Sequence, residues 1–172
     1  MNPVWFLVGG GAGLALLVYW QMIVAEGTYL GPRVVAWTYD LVASRYDDIK
    51  QFNPRDESWF VAGPLLRALI DVERPLVLDV ATGTGRLPLA LLREHLAARG
   101  GRIAGLDLSH GMLRRARAKL RSHGDAVRLI RHDAGRLPFE DGTFDAVTCL
   151  ESLEFMPRPP AVLREMVRVL AP

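Results

Sequence analysis

Residues 76–85 read LVLDVATGTG, an apolar run of strand length that leads into a turn with two glycines. Gly83 and Gly85 can adopt positive φ and carry no Cβ, so their backbone can approach a ligand closely, while the next helix offers free N–H groups. Asp79 is costly inside an apolar strand unless its carboxylate accepts hydrogen bonds, and the N–H groups of the turn are the predicted donors. The stretch predicts a strand, a ligand-binding turn and a helix; a plain strand-to-helix turn is the alternative.

Short apolar runs and helical stretches alternate along the chain after residue 75. Strands are predicted over residues 76–81, 102–106, 127–131 and 144–150. Helices are predicted over residues 87–98, 112–122 and 162–170, and two lead-in helices over residues 33–45 and 56–72. Strands that alternate with helices of this length form an α/β fold with a parallel sheet, which binds ligands outside the carboxyl ends of its strands.

Acidic residues stand at the ends of the second and third predicted strands. Asp107 lies where a carboxylate can accept hydrogen bonds from two ribose hydroxyls; its alternative role is to cap the next helix, for which Ser109 is also suited. Asp133 can accept from an adenine amino group with the Ala134 N–H facing a ring nitrogen, or it is a turn aspartate. Pro88 stands where a dinucleotide-binding fingerprint has its third glycine, which disfavours a nicotinamide cofactor.

Together these motifs resemble class I S-adenosylmethionine-dependent methyltransferases. The similarity covers residues 37–172 and rests on DVATGTG at 79–85, DLS at 107–109, DA at 133–134, LPF at 137–139 and FD at 144–145. It is greatest to the methyltransferase type 11 branch with the ubiquinone/menaquinone biosynthesis C-methyltransferases, which carry a pattern like YD at 39–40 and 46–47. The resemblance implies a Rossmann-like parallel sheet with the first four strands in the order three-two-one-four, and S-adenosyl-L-methionine as cofactor.

The resemblance also implies a set of cofactor-binding residues. Gly83 and Gly85 would line the methionine part, Asp107 would hold the ribose, and Tyr46 would close over the cofactor. The full set is Tyr46, Asp79, Ala81, Gly83, Gly85, Asp107, Leu108, Met112, Asp133 and Ala134. No catalytic residue is assigned, because methyl transfer from a sulfonium mainly needs alignment and a water-poor site. Glu151, Glu154 and His132 lie near strand ends and are the candidates for proton transfer.

Two departures from the family pattern bear on function. Residues 149–156 read CLESLEFM and lack the glycine-arginine-asparagine pattern of the quinone enzymes. Members of the family have three more strands after the position that corresponds to residue 172. Residues 73–172 are therefore expected to form an incomplete methyltransferase domain whose fourth strand is an edge of the sheet. A homodimer could cover this edge. The expected function is methyl transfer to a hydrophobic or lipid-like small molecule, for which a quinone-like compound is one candidate. A non-catalytic cofactor-binding remnant is the alternative, and a nicotinamide-dependent oxidoreductase is a weaker one.

Residues 4–25 hold no Asp, Glu, Lys or Arg. A helix of this length would span about 33 Å, which matches the hydrocarbon core of a bilayer. We therefore predict a single transmembrane helix, with residues 1–3 as a short extracytoplasmic end and residues 26–72 as the lead-in helices. The first cations, Arg33 and Arg45, follow the run, which places the catalytic domain on the cytoplasmic side. A cleaved signal peptide is disfavoured because no positive leader precedes the run.

The composition of the 172 residues sets further limits. Cys149 is the single cysteine, so no intramolecular disulfide can form, and the four histidines lack metal-ligand spacing. A net charge of +2 does not indicate a nucleic-acid partner. Cations do crowd the helix over residues 112–122, where a solvated face and contact with anionic headgroups are the alternatives. This cluster comprises Arg114, Arg115, Arg117, Lys119, Arg121 and His123.

Overall fold

The computed structural model describes residue 13, residues 16–20 and residues 30–172. The predicted transmembrane helix over residues 4–25 therefore lies mostly outside the described residues. Within the described part of the chain, no helix combines the length and the apolar character that a bilayer crossing requires.

Helices and parallel strands alternate in the order that the sequence predicts. The lead-in segment forms α1 (Pro32–Val42), α2 (Tyr46–Lys50), α3 (Pro54–Asp56), a π-helical turn (Glu57–Ala62) and α4 (Gly63–Ala68). The sheet region follows with β1 (Leu76–Val80), α5 (Arg86–Arg93), β2 (Arg102–Asp107), α6 (His110–Leu120), β3 (Val127–Arg131), β4 (Ala146–Cys149) and α7 (Pro159–Val169). Short 3-10 helices occupy Leu96–Arg99, Arg121–Ala126 and Leu153–Phe155.

The four strands form one parallel sheet in the order β3-β2-β1-β4. Val80 of β1 lies opposite Leu106 of β2 and Cys149 of β4, so the carboxyl ends of the central strands meet at one edge. The predicted α/β class and strand order are confirmed. Among the described residues β4 pairs along its length with β1 alone, which leaves its other side as an edge of the sheet.

Apolar residues of the strands pack on both faces of the sheet. Val77 and Ile103 join Leu87 and Leu91 of α5 in one buried cluster, whereas Leu78 joins the cluster beneath α7. Successive side chains of a strand point to opposite faces, so a strand covered on both sides reads as a continuous apolar run. This burial fixes the direction of β1 and with it the position of the turn that follows.

Two helix predictions differ from the structure. The helix predicted over residues 87–98 ends at Arg93, because His95 adopts a left-handed φ of 65° and the chain turns to bury Leu96 completely. The second lead-in helix, predicted over residues 56–72, is divided by the π-helical turn. The fourth strand is also shorter than predicted, since Phe144 forms an isolated bridge with Leu170 instead of extending β4.

The lead-in segment is attached to the amino end of α6. Asp40 Oδ1 accepts hydrogen bonds from Ser109 Oγ at 2.5 Å and from the Gly111 N–H at 2.7 Å. A Cβ at position 111 would lie 3.0 Å from that carboxylate oxygen, so glycine permits the close approach. Arg115 donates to the backbone carbonyls of Ala43 and Ser44. The basic cluster on α6 is therefore not wholly a solvated face, since part of it holds the lead-in helices.

Candidate cofactor-binding site

A cleft lies at the carboxyl ends of the strands, beneath α1 and α2. It encloses about 1290 Å³ with its open mouth included, which is large enough for a nucleotide-sized ligand. Nine of the ten predicted cofactor-binding residues line it. These are Tyr46, Asp79, Ala81, Gly83, Asp107, Leu108, Met112, Asp133 and Ala134.

Asp107 connects the glycine turn to the start of α6. Its Oδ2 accepts from the Gly83 N–H at 2.8 Å, and its Oδ1 accepts from the Ser109 N–H at 2.8 Å. Burial raises the pKa of the carboxyl, although these two backbone hydrogen bonds oppose the shift. Each carboxylate oxygen has two lone pairs, so both oxygens can still accept from a ligand. Ser109, whose hydroxyl accepts from the Met112 N–H, is the cap of α6.

Asp79 has different partners from those predicted. The Gly83 N–H of the turn binds Asp107, and Asp79 Oδ1 instead accepts from the Thr148 hydroxyl of β4 at 3.0 Å. Asp79 is 2% exposed, and burial raises the pKa of its carboxyl from 3.8 to about 6. Asp79 therefore links β1 to β4 at the floor of the cleft, and its charge is costly there.

The two glycines of the turn have separate roles. Gly83 has a φ of 55°, lines the cleft, and a Cβ built on it would meet no atom within 4 Å. Gly85 does not line the cleft. It has a φ of 80°, and a Cβ there would lie 2.8 Å from Leu120 Cδ1 and 3.3 Å from Ala116 Cβ. The predicted contact of Gly85 with the methionine part of the cofactor is therefore replaced by packing against α6.

Asp133 forms a turn, which is the alternative that the sequence left open for it. Its Oδ1 accepts from the Gly135 N–H at 2.8 Å, which closes an aspartate turn at the end of β3. Asp133 is nevertheless exposed and lines the cleft together with Ala134. The turn leaves Oδ2 of Asp133 available to a ligand, so the two interpretations are compatible.

Tyr46 lies in an aromatic group on the roof of the cleft. Its ring centre is 6.0 Å from that of Tyr39 and 6.4 Å from that of Phe52. The next residue, Asp47, accepts from the Thr84 hydroxyl at 2.6 Å and forms an ion pair with Lys119 at 2.8 Å. Asp47 thus fixes α2 above the glycine turn. The repeated YD pairs at residues 39–40 and 46–47 were the signal in the sequence for Asp40 and Asp47.

One part of the cleft lining, which we call the apolar end, is built mainly from apolar side chains. It combines residues from the start of α1 with residues from the segment after β4 and the first half of α7, and the same segment also contributes Glu151, Ser152 and Arg158 to the lining. None of these apolar residues was predicted as a site residue, because their spacing in the sequence does not reveal that the two segments meet. They are Pro32, Val35, Ala36, Leu150, Phe155, Met156, Pro157 and Val162.

The proposed proton-transfer candidates are not equally placed. Glu151 and His132 line the cleft, and Glu154 does not. Two cations hold the Glu151 carboxylate, and its hydrogen bond with Arg86 lowers its pKa.

Burial raises the pKa of the Cys149 thiol to about 12, so it is not a nucleophile. No cluster of three or more potential metal ligands occurs among the residues that the structure describes.

These features fit a cofactor with a nucleoside and a flexible polar chain. Gly83 leaves open space at the turn, Asp107 presents two carboxylate oxygens, and Leu108 and Met112 provide apolar surface. The sheet order, the glycine turn and the acid at the end of β2 define the class I S-adenosylmethionine-dependent methyltransferase fold.

Comparison with known proteins gives the family. Residues 77–172, more than half of the chain, match the family described as a methyltransferase domain. The chain belongs to the class I S-adenosylmethionine-dependent methyltransferases, in the branch of the demethylmenaquinone and ubiquinone/menaquinone enzymes, and its cofactor is S-adenosylmethionine. This assignment decides against the nicotinamide alternative.

Curated relatives support this branch. The demethylmenaquinone methyltransferase of Clavibacter sepedonicus is 37% identical over 143 residues, which are 82% of this chain and 55% of that protein. The enzyme of the same name from Thermus thermophilus is 44% identical over 56% of this chain and 42% of its own length. A ubiquinone/menaquinone biosynthesis C-methyltransferase of Azotobacter vinelandii is 40% identical over 56% of this chain and 38% of that protein. The chain spans about half the length of these relatives or less.

Solved structures share the fold. The [4+2]-cyclase SpnF aligns with a TM-score of 0.70 and 24% identity over 83% of this chain and 57% of that one. A SAM-dependent methyltransferase from Aquifex aeolicus aligns with a TM-score of 0.59 and 24% identity, over 72% of this chain and 65% of that one. One of these neighbours is a cyclase, so the fold alone does not fix the reaction.

Proposed function

We propose that the protein transfers a methyl group from S-adenosylmethionine to a hydrophobic, quinone-like small molecule. The observation that carries this proposal is the mixed lining of the cleft: the strands and their ends contribute carboxylates, and α1 and the segment after β4 contribute apolar side chains such as Val35, Phe155 and Met156. The acceptor must share the cleft with the cofactor, so it would occupy the apolar end. The names of the curated relatives point to quinones as the acceptor class.

Bound S-adenosylmethionine supplies an electrophilic methyl group on a sulfonium. The chain contributes alignment and exclusion of water. Asp107 would hold the ribose hydroxyls, Gly83 would give room to the methionine part, and Tyr46 would close the cleft above them. Apolar surroundings favour methyl transfer because they exclude competing water from the reacting atoms.

A reduced quinone is the form of the acceptor that suits this site. A ring carbon of a hydroquinone is nucleophilic, so it can form the new carbon–carbon bond as the methyl–sulfur bond breaks, and the ring carbon then loses its proton to solvent at the mouth of the cleft. An oxidised quinone is itself an electrophile and cannot take part in this way. Since residues 149–156 depart from the pattern of the quinone enzymes, we propose the class of acceptor and no particular member of it.

We further propose that residues 4–25 anchor the protein in a membrane with the domain on the cytoplasmic side. The run without charged residues supports the anchor, and its position before Arg33 and Arg45 supports the orientation. Residues 26–31 can extend about 20 Å at most, so the start of α1 would lie near the bilayer. Pro32 and Val35 of α1 line the apolar end of the cleft, which would give a lipid-like acceptor a short path. A homodimer through the free edge of β4 is part of the same proposal.

The decisive experiment uses the full chain in detergent micelles with methyl-labelled S-adenosylmethionine and reduced demethylmenaquinone. We expect label in the quinone fraction, saturable binding of S-adenosylhomocysteine by calorimetry, and loss of both with Asp107→Ala. Asp125→Ala, at an exposed position outside the cleft, is the matched control. Binding without transfer to this or any other lipid acceptor would favour a cofactor-binding protein without activity. A folded sample that binds no S-adenosylhomocysteine would overturn both readings.

A further inference from the structure

Arg86 makes three contacts with side chains that are distant in the sequence. It is the first residue of α5, directly after the glycine turn, and its side chain is only 20% exposed. Its Nε donates to Glu57 Oε2 at 2.5 Å, and its Nη1 donates to Glu151 Oε1 at 2.8 Å. The guanidinium carbon lies 4.1 Å from the ring centre of Phe52. We call these four residues the Arg86 clasp.

The clasp joins two walls of the cleft. Phe52 and Glu57 belong to the lead-in segment, which contributes the aromatic roof, and Glu151 belongs to the segment between β4 and α7, which contributes Phe155 and Met156. Neither segment is a strand of the sheet, so the ladder hydrogen bonds do not set their separation. A guanidinium can bind two carboxylates and stack on an aromatic ring at once, because it is planar and has five donors in fixed directions.

The backbone of Glu151 indicates that the clasp holds it under strain. Glu151 has a φ of 51°, a left-handed conformation that is unfavourable for a residue with a Cβ. Its carboxylate is held by Arg86 and, at 3.6 Å, by Lys50. The buried partner, Glu57, has a side chain that is 12% exposed and therefore needs a cation beside it. These contacts give the turn after β4 one defined conformation.

We infer that Arg86 is a positioning residue that sets the separation of the two walls around the acceptor end of the cleft. This inference rests on the proposed function, because it assigns the apolar end to the acceptor. Both carboxylate partners of Arg86 belong to the protein. The proposed cofactor contacts at Gly83 and Asp107 are held by their own hydrogen bond and do not depend on the clasp, so removal of Arg86 should affect acceptor binding more than cofactor binding.

The first test does not depend on activity. Hydrogen–deuterium exchange is compared in the parent protein, in Arg86→Lys and in Arg93→Lys, which changes an exposed arginine at the far end of the same helix. Lysine keeps the charge but lacks the planar group whose fixed donors reach both carboxylates while the group stacks on Phe52. We expect exchange over residues 50–57 and 150–158 to become at least about 5-fold faster in Arg86→Lys alone, with β2 unchanged. Unchanged exchange in both segments would overturn the inference.

The second test measures steady-state kinetics with reduced demethylmenaquinone and calorimetric binding of S-adenosylhomocysteine. In Arg86→Lys we expect the acceptor KM to rise about 10-fold while the Kd of S-adenosylhomocysteine changes less than about 2-fold. An equal loss of affinity for both ligands would overturn a role confined to the acceptor. If the parent transfers no methyl group to the quinone, the proposed function fails, and the exchange experiment still decides whether the clasp fixes the walls. Should Arg86→Lys not fold, Glu151→Gln removes the charge of one partner only and is expected to loosen residues 150–158 in the same assay.

Discussion

Replacing Asp79 by Asn should stabilise the protein at neutral pH. The folded state raises the pKa of this carboxyl from 3.8 to about 6, chiefly through burial. Between these two values the folded state binds more protons than the unfolded state, so stability falls as the pH rises through this window and stays lower above it. A difference of about 2 pKa units, at about 1.36 kcal/mol each, corresponds to about 3 kcal/mol at pH 7. Asparagine carries no charge, and its Oδ1 can still accept from the Thr148 hydroxyl.

The assay is equilibrium unfolding of the full chain by urea, followed by tryptophan fluorescence at several pH values. At pH 7 we expect Asp79→Asn to raise the free energy of unfolding by up to about 3 kcal/mol, with the difference vanishing below pH 3.8. Asp125→Asn, at an exposed position, should change it by less than about 0.5 kcal/mol. A variant that is folded but no more stable than the parent at pH 7 would refute the argument that burial of the Asp79 charge is costly.

The same variant separates stability from binding. Asp79 lines the cleft, and a group retained at a cost to stability is characteristic of a functional site. We expect the more stable Asp79→Asn protein to bind S-adenosylhomocysteine more weakly in a calorimetric titration. Equal or tighter binding would remove Asp79 from the cofactor-binding set and leave it a structural link between β1 and β4.

The other predictions concern the turn and the lead-in segment. Asp107→Asn should weaken S-adenosylhomocysteine binding about 100-fold or more in calorimetry, since two hydrogen bonds to a charged group contribute about 1.5–3 kcal/mol each; a change below 5-fold would contradict the ribose assignment. Gly85→Ala should destabilise the fold in urea unfolding by about 1–3 kcal/mol more than Gly83→Ala does, because both variants place an alanine at a positive φ but only the Cβ at position 85 would overlap Leu120; Gly83→Ala should also weaken cofactor binding. Similar stability losses for the two variants would argue against their separate roles. Asp40→Ala should speed hydrogen exchange in α1, and unchanged exchange would show that other contacts suffice to hold it.

The sequence predicts the parts of this fold that depend on local patterns. The apolar runs locate the strands to within a few residues, and the strand predicted over residues 127–131 coincides with β3. Strand order follows from the family resemblance. The carboxylates near strand ends are also found from a local pattern, since an acid close to the end of an apolar run is visible in the sequence without any knowledge of its partners.

Contacts between distant segments could not be predicted in this way. The Gly83 N–H has two candidate acceptors, Asp79 within β1 and Asp107 at the end of β2, and only the three-dimensional arrangement shows that it binds Asp107. The partners of Arg86 are separated from it by 29 and 65 residues. In the basic cluster, Lys119 faces Thr84 and Asp47 because α6 packs beside the glycine turn, a relation that counting charges along a helix does not reveal.

The hydrogen bonds around Ser109 have a consequence for how two ligands bind. Ser109 donates its backbone N–H to Asp107, the proposed ribose ligand, and its hydroxyl to Asp40, which holds α1. A ligand that fixes the loop over residues 107–109 would therefore also favour the docked position of α1, and Pro32 and Val35 of α1 line the proposed acceptor end of the cleft. By thermodynamic reciprocity, each ligand would then strengthen the binding of the other by the same factor. The arrangement thus favours cooperative assembly of the ternary complex, whichever ligand binds first.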